Sequence, residues 1–332
     1  MMKRVLIILA GLLALMATGA VLAAWWYLYT DDVKAPELPG HMASDSLQHD
    51  GLKRTWQAYI PASLSAPAPV VMILHGSLGS GQRMLEGTRY GFNVAAERHG
   101  FIPVYPDGFE QHWNDCRAGA VYTANLRNID DVGFIRAMVE KLATQHAVDR
   151  SRIYVAGMSN GGQMAYRMGF EAPDLVAGIA AIAANLPVDD NLDCERAAEP
   201  VAALVVNGTE DPVNPYAGGV VTVGGDSSRG LVRSASDTAR YWAGLAGYTG
   251  KGAFAVWPER SADDSTSVES TLWSAAGKQP VQLLTVVGGG HTIPHPVFRL
   301  PRILGRTSHE FEAAEVIWEF FSTGESRPLG GG

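Results

Sequence analysis

The sequence predicts an α/β fold in which a doubly wound, mostly parallel β-sheet forms a single domain after an N-terminal apolar helix. Two observations predict it. Short apolar runs alternate along the chain with segments of helical spacing, and several of those runs are apolar throughout, as parallel strands buried on both faces are. The chain has 332 residues, of which 47% are hydrophobic and 18% are charged, so it is able to build a sizeable core.

The N-terminal segment is apolar and lies between charges of opposite sign. Two basic residues precede residues 5–29, which carry no charge, and two aspartates follow them. This stretch is long enough to span a bilayer as a helix, and its basic start predicts that the rest of the chain is exported. We expect residues 1–30 to be either an uncleaved membrane signal-anchor or a signal peptide cleaved near residues 21–23.

The remaining chain divides by composition into three parts. Residues 31–50 are polar and contain proline, which predicts a linker, and residues 51–322 carry the alternating pattern of the α/β domain. Residues 323–332 are expected to form a disordered tail. The net charge of −8 is spread without basic blocks, so we expect no nucleic-acid partner.

The predicted elements alternate in the order that a doubly wound sheet requires. Strands are predicted at 55–60 (an edge strand), 70–74, 101–105, the run that ends at Gly157, 178–182, 201–206 and 281–287. Helices are predicted before Arg98, after a cap at Asp130 or Asp131, after Ser159, over 234–245, and after a capping box at residues 307–310.

The run before Gly157 leads into Gly157-Met158-Ser159-Asn160-Gly161, a Gly-x-Ser-x-Gly pattern between a strand and a helix. A nucleophile elbow of the α/β-hydrolase fold has this context, because its serine lies on a strained turn and the flanking glycines let neighbouring backbone pass. In a chain with 37 glycines the pentapeptide alone carries little weight.

Two further strand ends add the residues that a serine nucleophile needs. Asp211 follows one strand and His291 follows the last, which gives the chain order Ser159, Asp211, His291 of the α/β-hydrolases. Histidine takes and returns the serine proton, and a carboxylate orients the imidazole. Glu210 is an alternative acid, and His75 is expected to have a structural role. The backbone N–H groups of Ser77 and Asn160 are the candidate oxyanion hole.

At this level of detail the chain resembles the secreted polyhydroxybutyrate depolymerase and feruloyl esterase group of α/β-hydrolases. The match spans roughly Thr55 to Phe321. The motifs that carry it are His75-Gly76-Ser77, Tyr105-Pro106-Asp107-Gly108, Trp113-Asn114-Asp115, Asp130-Asp131-Val132-Gly133-Phe134-Ile135, Gly157-Met158-Ser159-Asn160-Gly161-Gly162, Asn207-Gly208-Thr209-Glu210-Asp211-Pro212 and Gly289-Gly290-His291-Thr292. The resemblance implies a serine carboxyl-ester hydrolase without metal or organic cofactor, acting on a small or oligomeric ester.

The chain departs from that group in two respects. Ile293 stands where members often carry tryptophan, and an added polymer-binding domain is not evident, which argues against an insoluble polymer as substrate. Trp113 is a candidate substrate-binding residue, with a core position as the alternative. Two other functions stay open: an inactive scaffold with a binding role, and an acyltransferase or peptidase that uses the same triad.

The chain contains two cysteines, Cys116 and Cys194. Both lie in the part expected to be exported, where an even count favours a disulfide; two buried free thiols are the alternative. Neither has a second ligand at a usable spacing, so a metal site is not expected.

Overall fold

The structure is a computed structural model that describes residues 2–64, 67–196, 199–261 and 264–328. Ten strands of the described chain form one sheet in the order β1-β2-β4-β3-β5-β6-β7-β12-β11-β10, and two short strands form a separate pair, β8-β9. The strands are β1 (His41–His49), β2 (Leu52–Ile60), β3 (Ala68–Leu74), β4 (Ile102–Pro106), β5 (Val148–Met158), β6 (Gly178–Ile182), β7 (Ala202–Gly208), β8 (Gly219–Val220), β9 (Leu231–Val232), β10 (Ala253–Val256), β11 (Ser267–Trp273) and β12 (Val281–Val287).

Eight α-helices accompany these strands in the described chain. They are α1 (Met2–Leu28), α2 (Gly81–Gly87), α3 (Gly91–His99), α4 (Thr123–Leu126), α5 (Asp131–Gln145), α6 (Asn160–Glu171), α7 (Ala235–Leu245) and α8 (Ala313–Thr323). The six central strands from β4 to β12 run parallel, and the two outer strands on either side join the sheet through antiparallel pairings. The predicted mostly parallel, doubly wound sheet is therefore confirmed.

The alternation of side chains along the buried strands feeds two hydrophobic cores, one on each face of the sheet. In β3, Met72 and Leu74 belong to the core beneath α5, α6 and α7, whereas Val71 and Ile73 belong to the core beneath α2, α3 and α8. Every residue of β3 is buried. A strand covered on both faces has no solvent side, which explains why its sequence is apolar throughout.

The N-terminal helix α1 has no buried residue and is long and apolar enough to cross a membrane. Length and composition alone support this statement, and a signal sequence has the same properties.

The predicted linker over residues 31–50 is wrong in its second half, because His41–His49 forms strand β1. It pairs antiparallel with β2, so the predicted edge strand at 55–60 is an inner strand. Asp50 and Gly51 connect the two strands with φ values of 49° and 74°. An Asp-Gly pair with two positive φ angles is the preferred two-residue hairpin turn. The strand escaped prediction because none of its residues is buried and its sequence lacks an apolar pattern.

The C-terminal helix begins later than its predicted capping box. Thr307 accepts a hydrogen bond from Leu300, Ser308 accepts one from Thr266, and the Glu310 carboxylate accepts two from the backbone of residues 260–261. These side chains therefore tie loops together, and α8 starts at Ala313 with the Glu312 side chain as its cap.

The predicted disordered tail is also corrected where the structure describes it. Thr323 ends α8, and Ser326 is buried with its N–H donating to Gln282 Oε1 at 2.7 Å and its hydroxyl to the Val316 carbonyl at 2.8 Å. Residues 323–328 therefore belong to the folded domain. The last part of the predicted tail, residues 329–332, lies outside the described residues.

Candidate active site

Ser159 lies at the turn between β5 and α6 with φ 54° and ψ −118°, a strained conformation for a residue with a side chain. A Cβ on Gly157 would lie 2.2 Å from the Gly161 carbonyl oxygen. A Cβ on Gly161 would lie 2.3 Å from the Leu74 carbonyl oxygen of the neighbouring strand. Only glycine fits either position, so the structure has the tight strand–turn–helix geometry that the pentapeptide predicts.

His291 and Asp211 form a buried hydrogen-bonded pair at the carboxyl ends of β12 and β7. The His291 Nδ1 lies 2.8 Å from Asp211 Oδ2. The other oxygen of Asp211 accepts hydrogen bonds from the N–H groups of Val213 at 2.7 Å and Asn214 at 2.8 Å. The carboxylate is therefore fixed in place, and Nδ1–H donation to it leaves His291 Nε2 as an acceptor.

Glu210, the alternative acid, points away from this pair. Its carboxylate is 59% exposed and pairs with Arg306 at 2.9 Å on the surface. The geometry thus favours Asp211 over Glu210 as the partner of His291.

The candidate oxyanion donors lie on two sides of the Ser159 turn. Ser77 follows β3 and its N–H has no hydrogen-bond partner within the described residues. Asn160 is the first residue of α6, where backbone N–H groups and the helix dipole favour negative charge. Gly76, which precedes Ser77, approaches the turn closely, since a Cβ there would contact the Ser159 Cβ at 3.5 Å.

The Asn160 side chain makes a set of contacts that the sequence did not predict. Its Oδ1 accepts a hydrogen bond from the Trp113 N–H at 2.8 Å, and its Nδ2 donates to the Trp113 carbonyl at 3.1 Å and to Asp115 Oδ2 at 2.6 Å. The side chain is fully buried. Asn160 therefore joins the elbow to the loop after β4, and the neighbouring Trp113-Asn114-Asp115 motif was the signal available for this contact.

The Asp115 carboxylate is the centre of a buried polar cluster beside the elbow. It forms an ion pair with Arg117 Nη2 at 2.5 Å and accepts a hydrogen bond from the Tyr122 hydroxyl at 2.6 Å. Burial alone would raise the pKa of Asp115, but the charge of Arg117 and these hydrogen bonds outweigh it and lower the pKa. Burial in turn raises the pKa of Tyr122, which stays a neutral donor.

The proposed substrate contact of Trp113 is corrected. Trp113 is fully buried, its indole N–H donates to the His75 carbonyl at 3.0 Å, and it is absent from the lining of the pocket at Ser159. Its ring is packed in the hydrophobic core and its only donor is paired with the His75 carbonyl, so Trp113 has a structural role.

His75 has the structural role that the sequence predicts. Its Nε2 accepts a hydrogen bond from the Gly108 N–H at 2.9 Å, and its Nδ1 lies 2.7 Å from the Gly76 carbonyl oxygen. These two contacts fix the loop that carries Ser77 to the loop after β4. Burial lowers the pKa of His75, so the imidazole is neutral at neutral pH.

Cys116 and Cys194 are joined by a disulfide in the structure, as expected from their even count. The bond connects the loop after β4 with residues 191–194. The Ala118 N–H donates to the Asn191 carbonyl at 3.0 Å and the Asp193 N–H donates to the Cys116 carbonyl at 3.1 Å. The two loops thus form one braced wall beside the elbow.

Ser159 and His291 line one pocket of about 240 Å³ at the carboxyl edge of the sheet. A wider depression of about 640 Å³, near the end of α1, contains neither residue. The smaller pocket is lined by Gly76, Ser77, Arg117, Met158, Ser159, Val213, Val221, Val223, Arg229, His291 and Leu304. The described residues include no cluster of three or more His, Cys, Asp or Glu side chains able to hold a metal ion.

Comparison with known proteins gives a match to an esterase family model. Residues 55–190 match the family model described as Esterase PHB depolymerase. The resemblance that the sequence motifs predict is thereby confirmed.

Curated relatives of this esterase-type group differ in how much of their length the chain covers. NocK of Nocardia uniformis subsp. tsuyamanensis, whose name assigns it provisionally to the esterases, is 28% identical over 82% of this chain and 80% of its own. Feruloyl esterase B of Piromyces equi is 29% identical over 68% of this chain but 39% of its own, and poly(3-hydroxybutyrate) depolymerase of Ralstonia pickettii is 31% identical over 37% and 27%.

Among solved structures, acetyl xylan esterase from Aspergillus awamori superposes with a TM-score of 0.53 at 17% identity, over 76% of this chain and 95% of that one. This likeness shows the α/β-hydrolase fold. Together with the family match, it supports an esterase-type hydrolase.

Proposed function

We propose that the protein is an exported serine carboxyl-ester hydrolase that works through an acyl-enzyme on short acyl esters. The observation that carries the proposal is the shared pocket: Ser159, on a strained elbow, and His291, held by Asp211, line the same small cavity. The cavity of about 240 Å³ is smaller than the roughly 300–1,000 Å³ of pockets that take drug-sized ligands, which favours short acyl groups.

In the proposed reaction, Ser159 Oγ attacks the ester carbonyl carbon while its proton moves to His291 Nε2. The N–H groups of Ser77 and Asn160 receive the oxyanion of the tetrahedral intermediate. The C–O bond to the alcohol then breaks, and the alcohol leaves with the proton from His291. Water, activated by His291, then attacks the acyl-enzyme in the same way, which releases the acid and restores the serine.

Export and membrane attachment are part of the same proposal. Helix α1 supplies a segment able to cross a membrane, and the disulfide between Cys116 and Cys194 fits an oxidising compartment. The basic residues before α1 favour a cytoplasmic N-terminus, with the catalytic domain on the far side.

The test is Ser159→Ala in the purified full chain, assayed with p-nitrophenyl acetate and butyrate. We expect kcat to fall by on the order of 10⁶-fold, because the nucleophile is lost while alanine occupies the same turn. Ser151→Ala, at an exposed serine on the far end of β5, serves as the control and keeps full activity.

Two further measurements separate the alternatives. A fluorophosphonate probe is expected to label the full chain and Ser151→Ala, and to leave Ser159→Ala unlabelled. Matched ester and amide substrates are expected to show turnover of the ester alone. Undiminished esterase activity in a folded Ser159→Ala protein would disprove the proposal.

A further inference from the structure

The pocket at Ser159 contains two arginines, and its lining in the described chain includes no carboxylate. Arg117 and Arg229 provide the charge, and the remaining lining beside the candidate catalytic groups is largely apolar. The guanidinium carbons of Arg117 and Arg229 lie 5.8 Å and 5.9 Å from the ring centroid of Tyr122, so the two groups lie beside the same ring. Two guanidinium groups in one pocket lining offer an anion several hydrogen-bond donors together with positive potential.

Arg117 keeps donors available toward the pocket. Its Nε and Nη2 bond the Asp115 carboxylate, at 3.1 Å to Oδ1 and 2.5 Å to Oδ2, whereas its Nη1 has no partner within the described residues. The side chain is 4% exposed, and Asp115 is fully buried behind it. Arg117 is therefore held rigidly by its ion pair, with one –NH₂ group of the guanidinium left for a ligand.

Arg229 has a weaker ion-pair partner than Arg117, and one of its buried donors lacks a hydrogen bond among the described residues. Its Nη1 pairs with Asp226 Oδ2 at 2.8 Å, but the Asp226 side chain is 51% exposed and so is screened by water. The Arg229 side chain is only 11% exposed, and its Nε is buried without a hydrogen-bond partner among the described residues. A buried donor of a charged group without a partner is costly, and an anion bound beside it would satisfy that donor.

The backbone around both arginines is fixed before any ligand binds. The Asn191 side chain donates hydrogen bonds to the carbonyls of Arg229 and Leu231, both at 3.0 Å, and accepts one from the Gly119 N–H at 2.9 Å. Asn191 therefore ties the segment that carries Arg229 to the segment after Arg117. The Cys116–Cys194 disulfide joins the segment beside Arg117 to the one that follows Asn191.

We infer that Arg229, together with Arg117, selects esters that carry a carboxylate a short carbon chain away from the scissile ester bond. Val213, Val221 and Val223 line the pocket and suit that carbon chain. Chemically, a hemiester of a short dicarboxylic acid or a short hydroxyacid ester with a free carboxyl end has this form. The inference rests on the proposed esterase function and names the substrate class of that same site.

The experiment compares matched substrates that differ only in charge. On the acyl side, mono-p-nitrophenyl glutarate is compared with its methyl-capped counterpart; on the alcohol side, the dimer of 3-hydroxybutyrate is compared with its methyl ester, with cleavage of the inner ester followed by chromatography. We expect the full chain to favour the carboxylate form in at least one pair by about 10-fold or more in kcat/KM.

Arg229→Gln is expected to reduce that ratio to near one, and Arg229→Lys, which keeps the charge but loses the fork of donors, to an intermediate value. Arg240→Gln is the matched control, because Arg240 also pairs with an aspartate three residues earlier but is 62% exposed on α7. It should leave the ratio unchanged. High salt should lower the ratio in the full chain.

The outcomes distinguish this inference from the function on which it rests. Preference in the first pair assigns the carboxylate to the acyl side, and preference in the second assigns it to the alcohol side. Equal rates in both pairs, or a ratio unchanged by a folded Arg229→Gln protein, would overturn the inference while leaving the esterase function standing. Activity retained by Ser159→Ala would instead remove the function itself.

Discussion

Asp211 contributes at the scale of a single residue by fixing both a backbone turn and an imidazole. One carboxylate oxygen accepts two backbone N–H groups, and the other meets His291 Nδ1 at 2.8 Å. A glutamate would be one methylene too long to keep both sets of contacts. The position therefore requires the shorter acid, which agrees with Glu210 turning to the surface.

Asp211→Asn should lower kcat by about 10⁴-fold with little loss of stability. The amide oxygen would keep the two backbone N–H contacts, but the amide group would donate to His291 Nδ1 and force the wrong tautomer. Steady-state kinetics with p-nitrophenyl butyrate and a urea unfolding curve measure the two effects. A variant with near full kcat would show that Asp211 does not orient the base.

His75 predicts a pH effect that is independent of catalysis. Its pKa is lowered by burial, so between its folded pKa and the unfolded value near 6.5 the unfolded chain binds more protons than the folded one. The free energy of unfolding therefore falls as the pH drops below about 6.5. Protonation would also set an imidazolium N–H against the Gly108 N–H.

Nitrogen-resolved NMR of the imidazole rings is the measurement for His75. At neutral pH we expect a neutral ring with the proton on Nδ1, because Nδ1 faces the Gly76 carbonyl and Nε2 accepts from Gly108. His112 and His146 also have pKa values lowered by burial, so the residue-specific signal is needed. A His75 ring that titrates at or above the unfolded value near 6.5 would contradict the prediction.

At the scale of the element, the elbow depends on space that two glycines leave open. Gly161 packs against the end of β3, where backbone carbonyls of Leu74 and His75 lie 2.3 Å and 2.6 Å from the site of a Cβ. The far end of a flexible side chain could move aside to make room for a Cβ. These backbone carbonyls cannot move without disturbing the strand.

Gly161→Ala is thus expected to destabilise the protein by about 3 kcal/mol or more. Gly244→Ala is the matched control, since that glycine lies on the exposed face of α7 with no atom within 4 Å of its Cβ position. The control should gain about 0.5–1 kcal/mol from helix propensity. Urea midpoints of both variants test the contrast, and equal stability of Gly161→Ala and the parent chain would refute it.

Elements differ in how far the sequence predicts them. The strands at 70–74 and 281–287 are apolar because helices or neighbouring strands cover them, so their pattern survives in any single sequence. Strand β1 is specified by pairing with β2 and by a two-residue turn, and its side chains meet solvent. The capping box at 307–310 failed for a related reason: its side chains bond loops that are distant in sequence.

The residues of the candidate site also differ in how far the sequence predicts them. Topology brings the polar residues after β3, β5, β7 and β12 to one edge, so Ser77, Ser159, Asp211 and His291 follow from strand order. The Asn160 side-chain contacts and the position of Arg229 depend on loops whose course no periodicity describes. For Trp113, the sequence left a pocket and a core position open, and only packing decided between them.

At the scale of the whole molecule, the disulfide closes a long loop that includes the elbow. Cys116 and Cys194 are separated by 78 positions, and closing such a loop stabilises the fold by about 4 kcal/mol on the chain-entropy model. The same bond braces the wall that carries Arg117 and Asn191.

Replacing both cysteines with serine should therefore cost about 4 kcal/mol in the free energy of unfolding. Reduction of the parent chain should cost a similar amount, and a reductant should have no further effect on the double variant. Intact mass with and without reductant provides the direct check, since reduction adds two hydrogens. An unchanged mass would show that the thiols are free.

Because β1 begins at His41, the segment between α1 and the sheet is short, which would limit how far the domain lies from a membrane under the proposed attachment. Only residues 29–40 separate α1 from the sheet, and even fully extended they span about 40 Å. Hydrogen bonds hold the start of this linker against the domain and shorten its reach further. The Thr30 hydroxyl donates to the Arg299 carbonyl, and Asp31 accepts from the Arg89 side chain and from the Arg299 N–H. Under the proposed attachment of α1 to a membrane, the domain would reach only a thin layer beside the bilayer, which would suit dissolved esters that diffuse to it and would leave distant insoluble particles out of reach.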